Sequence, residues 1–396
     1  MKKNKKFSKK KISNELLKIL RKICGNSKVA LHEPIFIGKE KKKLNECIDS
    51  TFVSTKSAII KKFEEQISNY TGSKDAIAVI NGTSALHVSL LAIGLKQHEE
   101  VLIPSFNFVA AANAISYCGG TPNFLDIEES TLSVDPLKLK KYLNENFFIK
   151  NGNCYNRKTK RIVRAIIIPH LFGHPAKIDS LVKIAKNKKL IIIEDAAESL
   201  GSFFKNKHTG TFGDLGILSF NGNKTITTGG GGAILSNKKN LTKKIRNLID
   251  ISKKKHSWKF DYYKVGYNMK MPGLNAALGC AQILNLKKII KLKRKIFNKY
   301  KIEFKNSKYF DLVEEPENSR SNFWLQNIKI KKKSLSVRDY LIKLTNKKGF
   351  QTRPAWALLH KLRHFKNCPK SDLKISNEMF SKIISLPSSP NLIKKN

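Results

Sequence analysis

Four residues before Lys224, an apolar run from Gly216 to Phe220 comes to an end, and four consecutive glycines, Gly229 to Gly232, follow soon after it. A second apolar run, Leu190 to Ile193, ends on the acidic pair Glu194 and Asp195. Buried strands that deliver an amine and a carboxylate at their ends put them where open α/β sheets bind ligands. Further upstream, Asn81–Gly82–Thr83–Ser84 separates a strand ending at Ile80 from a helix. The first N–H groups of a helix lack internal partners and its dipole favours an anion, so this turn can seat a phosphate. Gly82 permits close approach there, and the hydroxyls of Thr83 and Ser84 add donors. A plain Ser/Thr cap is the simpler alternative. Phe106 and Phe108 stand at another strand end, where a ring could lie on a flat ligand or merely fill the core.

Pyridoxal phosphate asks four things of a protein: an amine for covalent attachment, a carboxylate at the pyridine nitrogen, donors for the phosphate and a flat cover. An Asp beside the pyridinium stabilises its charge by direct attraction. Lys224 can supply the amine and Asp195 the carboxylate. The Gly82–Thr83–Ser84 turn can hold the phosphate, and Phe108 can cover a ring face. Singly, Lys224 would pass for a surface lysine and the glycine run for a flexible turn. Together they make Leu190 to Gly232 the cofactor-binding stretch.

These groups need strands and helices in alternation to position them. A strand ends at Ile80 and a helix runs from Ala85; a strand ends near Pro104 and a helix follows from Val109; another strand ends at Asp126. Pro136 to Tyr142 reads as a helix and Phe147 to Lys160 as a polar, exposed connection. Arg164 to Ile168 reads as a strand and Ile178 to Lys186 as a helix. His32 to Ile37 reads as a strand leading into a helix over Lys39 to Phe52. The alternation predicts a largely parallel α/β sheet with its chemistry at the carboxyl strand ends. Further on, helices take over and then mix with strands, as in a smaller α+β domain. The expected division is a basic tail with a short amphipathic helix over 1–30, a large cofactor domain over 31–255 and a small domain over 256–396.

The formal net charge of +46 raises the possibility of nucleic-acid binding. The positive charge is nearly all Lys and is spread along the chain, whereas recognition surfaces favour the Arg fork. No recognition-helix module or RNP-type aromatic pattern is present. A general lysine bias is the better account, with no specific nucleic-acid partner; the charge would still attract anionic substrates. No apolar run is long enough to span a membrane, and the N-terminus lacks a continuous apolar signal segment. The six cysteines include no CxxC pair. A cytoplasmic location, free thiols and no metal are expected.

In order, NGTSALH, PSFNFVAAANAI, HLFGHPAKID, EDAAESLGS, GTFGDLGILSF, SFNGNKTITTGGGG and GYNMKMPGLNAALG resemble the sugar aminotransferases of the DegT/DnrJ/EryC1/StrS family. The resemblance spans roughly residues 30 to 390. It implies a type I pyridoxal phosphate aminotransferase fold, aspartate aminotransferase-like, working as a homodimer with shared sites. It implies Lys224 as the attachment point and Asp195 as the pyridine-nitrogen partner, with Gly82, Thr83, Ser84 and Ser219 around the phosphate. Asn268 would reach the phosphate in the other subunit, and Phe108 falls at the ring-stacking position. Relatives with His in place of the lysine act as sugar dehydratases, so Lys224 favours transamination. Glu198 and Gly230 depart from the commonest pattern. They are similar to the subgroup that aminates nucleotide-linked 4-keto sugars toward legionaminic acid and bacillosamine, with L-glutamate as donor. Within that subgroup His174, Trp324, Arg353 and His360 would face substrate. A 3-keto sugar or a dehydratase reaction is the alternative.

Overall fold

The structure is a computed structural model and describes residues 9–26 and 28–393. The basic residues 1–8 of the expected tail lie outside the described residues. A nine-stranded sheet forms the centre. Its main path uses β1 (Asp75–Val79), β2 (Glu100–Pro104), β3 (Thr121–Leu125), β4 (Ile162–Pro169), β5 (Ile191–Asp195), β6 (Leu215–Ser219) and β7 (Gly232–Ser236). The spatial order is β1-β7-β6-β5-β4-β2-β3. Parallel pairing joins β6 to β5, β5 to β4, β4 to β2 and β2 to β3. β7 runs antiparallel to both β1 and β6, so the sheet is mixed at that edge. All the other strands of the path point the same way, and their carboxyl ends share one rim.

Runs of Ile, Val and Leu make these strands because both faces are covered. Ile77, Val101, Ile103, Ile167, Ile193, Ile217 and Ile234 bury one face against the helices Gly82–Ala92, Val109–Tyr117 and Lys239–Ile249. Leu102, Ile166, Ile168 and Ile192 bury the other, partly against the helices Pro136–Asn146 and Ile178–Asn187.

Two expectations are corrected. Residues 147–160 are no loose connection: Phe147–Lys150 and Asn153–Asn156 form a hairpin that continues the sheet beside β4. Its turn is Asn151–Gly152, both with positive φ, the signature of a tight hairpin turn. Residues 32–37 form no strand. That segment is strapped instead by the Glu33 N–H to Ser389 Oγ (2.8 Å) and by Gln282 Nε2 to the Ile35 carbonyl (3.1 Å).

The helix Gly273–Phe304 has 32 residues and so extends about 48 Å. Its first half, through Ala276, Cys280, Ile283 and Leu286, packs beside Phe63 and Ile67 near β1 and β7. Its second half, through Ile296, Tyr300 and Phe304, joins a separate core. That core backs a four-stranded antiparallel sheet of Phe310–Leu312, Gln326–Ile330, Ile383–Leu386 and Arg353–Pro354. The helix Lys9–Cys24 buries Ile12, Leu16, Ile19, Leu20 and Ile23 in the same core, so it is built into this layer. Among the described residues no helix is long and apolar enough to cross a membrane.

Candidate active site

The carboxyl rim of the central sheet opens into a cavity of about 310 Å³. Its lining includes Gly82, Thr83, Phe108, Asp195, Glu198, Ser219, Lys224 and Trp324. Most arrive from the ends of central strands or the segments just after them, whereas Trp324 comes from the segment leading into Gln326–Ile330 of the smaller sheet.

Asn81 shapes the candidate anion seat. Its extended backbone precedes the helix Gly82–Ala92, and its Oδ1 accepts from the Ser84 N–H at 2.7 Å. The helix therefore starts at Gly82, earlier than expected, because the cap is Asn81 and not Thr83 or Ser84. Thr83 lines the cavity; Ser84, its N–H taken by the cap, does not. A side chain at Gly82 would stand 3.1 Å from Ser219 Cβ, so glycine lets the helix end settle against Ser219. One at Gly232 would stand 2.6 Å from the Asn81 backbone carbon. The glycine run is thus partly a close-packing device beneath the seat.

Asp195 ends β5, half-buried, with Oδ1 accepting from the Ala197 N–H at 3.2 Å. Burial raises its pKa, opposed by that bond and by the charge of Lys224. Lys224 lies in the turn after β6, its N–H donating to the Asn221 carbonyl at 3.0 Å. Its Nζ stands 3.6 Å from Glu198 Oε1, an ion-pair distance, and 4.1 Å from the centre of the Trp324 ring. Trp324 is fixed by its Nε1 donating to the Asn223 carbonyl at 2.7 Å. Glu198 Oε2 accepts from the Phe172 N–H at 2.7 Å.

Burial pushes Glu198 up to about 7, against the opposing pull of Lys224 and the Phe172 N–H. The folded protein therefore keeps a proton that the unfolded chain releases near pH 4.5. Stability must fall as pH rises between these values, by at most about 3 kcal/mol for this one group. Glu198→Gln removes that slope. In cofactor-free protein its Tm relative to wild type is expected to be higher at about pH 8 than at about pH 5. An equal offset at both pH values would contradict the assignment.

The remaining sequence candidates stand apart from the cavity. His174 is 1% exposed, its ring edge-on to Phe323 at 5.6 Å, and burial lowers its pKa to about 4. His360 Nδ1 pairs with Ser105 Oγ at 2.6 Å, behind the end of β2. Arg353 lines a neighbouring cavity of about 560 Å³. Asn268 is exposed, bridged to Asp250, and does not line the cavity of its own chain.

Sequence reasoning passed over several cavity residues. Trp356 stacks on Phe172 (centroids 5.0 Å, planes 6° apart) and meets Phe108 edge-on at 6.2 Å. His170 lines the cavity, whereas His174 was singled out from the same motif. Its Nδ1 accepts from the Ala176 N–H at 3.0 Å, so its proton sits on Nε2, 2.9 Å from Glu194 Oε2. The signal was present in the chain: His170 directly follows the apolar run of β4, as Asp195 ends that of β5.

Pyridoxal phosphate fits these residues. An amine, a carboxylate at a strand end, a capped helix N-terminus with Thr83 and Ser219, and the half-exposed Phe108 ring converge on one cavity. Asp195 would hold the pyridine nitrogen protonated, and Lys224 would attach the ring.

The sequence profile of the DegT/DnrJ/EryC1/StrS aminotransferase family matches residues 35–396. GDP-perosamine synthase of Escherichia coli O157:H7 is 34% identical over 92% of this chain and 94% of its own length. The GDP-perosamine synthase of Vibrio cholerae is also 34% identical, over 92% and 95%. Among solved structures, Helicobacter pylori PseC, an aminotransferase involved in the biosynthesis of pseudoaminic acid, superposes with a TM-score of 0.83 at 24% identity, covering 92% of this chain and 95% of that one. The last likeness shows the type I aminotransferase fold; the family match and the two synthases show more. This chain belongs to the DegT/DnrJ/EryC1/StrS family, and it is a pyridoxal phosphate-dependent sugar aminotransferase.

Proposed function

We propose that the chain transfers an amino group to the C4 ketone of a nucleotide-linked 4-keto-6-deoxy sugar, with L-glutamate as donor. The observation that supports this most is the position of Lys224 Nζ, between the Glu198 carboxylate and the Trp324 face in the cavity that Asp195 lines. When bound, pyridoxal phosphate supplies the electron sink that lets a C–H bond beside nitrogen ionise. Lys224 Nζ carries that proton, and Asp195 keeps the pyridine nitrogen charged. Gly82, Thr83 and Ser219 hold the phosphate, Phe108 covers one face, and Trp324 and Arg353 lie on the substrate side. A lysine at position 224 favours transamination over dehydration.

The nucleotide is UDP or GDP. The relatives named GDP-perosamine synthase support a GDP-linked amino sugar as product. Glu198 and Gly230 support the legionaminic acid and bacillosamine type. A homodimer accounts for exposed Trp258, Phe260, Tyr263 and Val265, apolar surface beside Asn268 that a second subunit would cover. Asn268 then serves the phosphate in the neighbouring subunit's site.

Two measurements test the reading. Glutamate alone should release about one equivalent of 2-oxoglutarate per site, since a transaminase completes one half-reaction without the sugar. A panel of UDP- and GDP-linked 4-keto-6-deoxy sugars with glutamate should then yield a 4-amino product for at least one member. Turnover confined to 3-keto sugars, or dehydration without nitrogen transfer, would overturn it.

A further inference from the structure

His32 is nine-tenths buried, yet neither Nδ1 nor Nε2 makes a well-formed hydrogen bond, and the nearby Asn223 carbonyl acts on the ring only weakly. Buried polar atoms without a partner are uncommon and call for an explanation. The backbone around His32 is held firmly. The Leu31 N–H donates to Gln351 Oε1 at 3.1 Å, and the Leu31 carbonyl accepts from the Ser388 N–H at 2.7 Å. The ring therefore keeps its place without bonds of its own. It lines the cavity of about 560 Å³ that also contains Arg353. Asn223, Trp324 and Trp356 line both this chamber and the Lys224 cavity, so the two are neighbours across the Trp324 ring.

The chamber has a definite chemistry. Its lining holds no carboxylate, and Arg353 makes no ion pair among the described residues. Arg353 is exposed, so its guanidinium is free to take an anion from outside. The imidazole stays neutral: burial and the nearby charges of Lys293 and Lys224 all lower its pKa, and only the Asn223 carbonyl opposes them. Lys293 Nζ is itself buried and donates to the Ser388 carbonyl at 2.9 Å. A neutral imidazole offers one N–H donor and one bare acceptor nitrogen. A sugar hydroxyl can answer either, donating to the bare nitrogen or accepting from the N–H.

We propose that His32 is a specificity-determining residue that hydrogen-bonds a hydroxyl of the glycosyl ring, while Arg353 takes the diphosphate of the same nucleotide sugar. This rests on the sugar-transaminase reading above. The sugar then spans from the Lys224 cavity, past Trp324, to the Arg353 side. The enzyme would read the hydroxyl pattern next to the reacting carbon through a residue at the very start of the cofactor domain in sequence, far from Lys224 and Arg353.

Calorimetric titration of the holoenzyme with GDP-mannose, UDP-glucose, GDP and UDP tests this. In the wild type at least one nucleotide sugar should bind more tightly than its bare diphosphate. His32→Phe should erase that increment, about tenfold in Kd, while binding of the bare diphosphate persists. His32→Gln, which keeps a donor and an acceptor, should retain part of it. Arg353→Gln should weaken sugar and diphosphate together. Unchanged sugar binding in His32→Phe overturns the proposal, as does a failure of the wild type to prefer any sugar over its diphosphate. A rise in the KM for glutamate instead of the sugar would give the chamber to the amino donor and also overturn it. Visible absorbance of the lysine-attached cofactor in each variant separates a misfolded site from a lost contact. Because these titrations require no turnover, a wrong reaction assignment would show in the 2-oxoglutarate assay and not here.

Discussion

Lys224→Ala is expected to remove the visible absorbance of the lysine-attached cofactor and to lower turnover by about 10³- to 10⁴-fold. Both losses have one origin. The same Nζ that would attach the ring is the only lysine amine among the described residues lining the cavity, so no neighbouring lysine can replace it as proton carrier. Lys224→Arg sharpens the test, because it keeps a cation near the Trp324 face and Glu198 but cannot form the covalent link. If charge alone mattered, Arg would rescue most activity. The expectation is that it rescues the environment of Glu198 and not catalysis. In the alanine variant Glu198 loses the cation that opposes burial, so its pKa should climb further above 7. The decline of stability with rising pH would then extend to higher pH than in wild type. A Lys224→Ala protein that turned over at the wild-type rate would end the assignment.

How much of this was legible in the chain depends on the kind of signal each residue leaves. Asp195 and Lys224 follow runs of β-branched and leucine residues that could only be buried strands, and such runs fix the direction in which the chain delivers its next side chain. The proposed phosphate seat was legible as a strand–turn–helix, but its cap was not. Asn81, Thr83 and Ser84 are all competent N-caps, and the choice fell to Asn81 through one Oδ1–N–H bond. The 147–156 hairpin carries an Asn–Gly turn in plain sight. Its polar surroundings hid the strands, which gain their place from edge pairing beside β4 more than from burial. Residues 32–37 end in the apolar run Ile35–Phe36–Ile37, which resembles a strand, yet side-chain bonds from Gln282 and Ser389 take backbone groups that a neighbouring strand would have used. His32 leaves no local signal at all. Its significance lies in what it fails to touch, and only packing from the far end of the chain defines that.

Glu194→Ala should be the most damaging single change to stability near the site, by about 3–5 kcal/mol, measured as the loss of unfolding free energy in denaturant. The carboxylate is fully buried one residue before Asp195. Its Oε1 accepts from the N–H groups of Phe212 (2.6 Å) and Gly213 (2.7 Å), and its Oε2 from Gly210 (2.8 Å) and His170 Nε2 (2.9 Å). Burial raises its pKa, but these donors win and hold it below the ordinary carboxylate value. Alanine would strand all four donors in the interior. Glutamine keeps the shape but turns an NH₂ toward one pair of donors. If that pair is Gly210 and His170, the imidazole cannot yield, because its Nδ1 must stay bare for the Ala176 N–H. Glu194→Gln should therefore also destabilise, by less than alanine. A depressed carboxylate stabilises above its unfolded pKa, and that contribution is lost as pH falls through the folded value. The gap between wild type and Glu194→Gln should accordingly be widest near neutral pH and narrow in acid. The effect should reach the cofactor as well. The His170 backbone N–H donates to the Asp195 carbonyl at 3.0 Å, so the residue whose ring Glu194 fixes also braces the strand end carrying the proposed pyridine partner. Weaker pyridoxal phosphate retention in Glu194→Gln, with Asp195 itself untouched, would show that the neighbouring acid positions the catalytic one. Wild-type retention together with wild-type stability would leave Glu194 without that role.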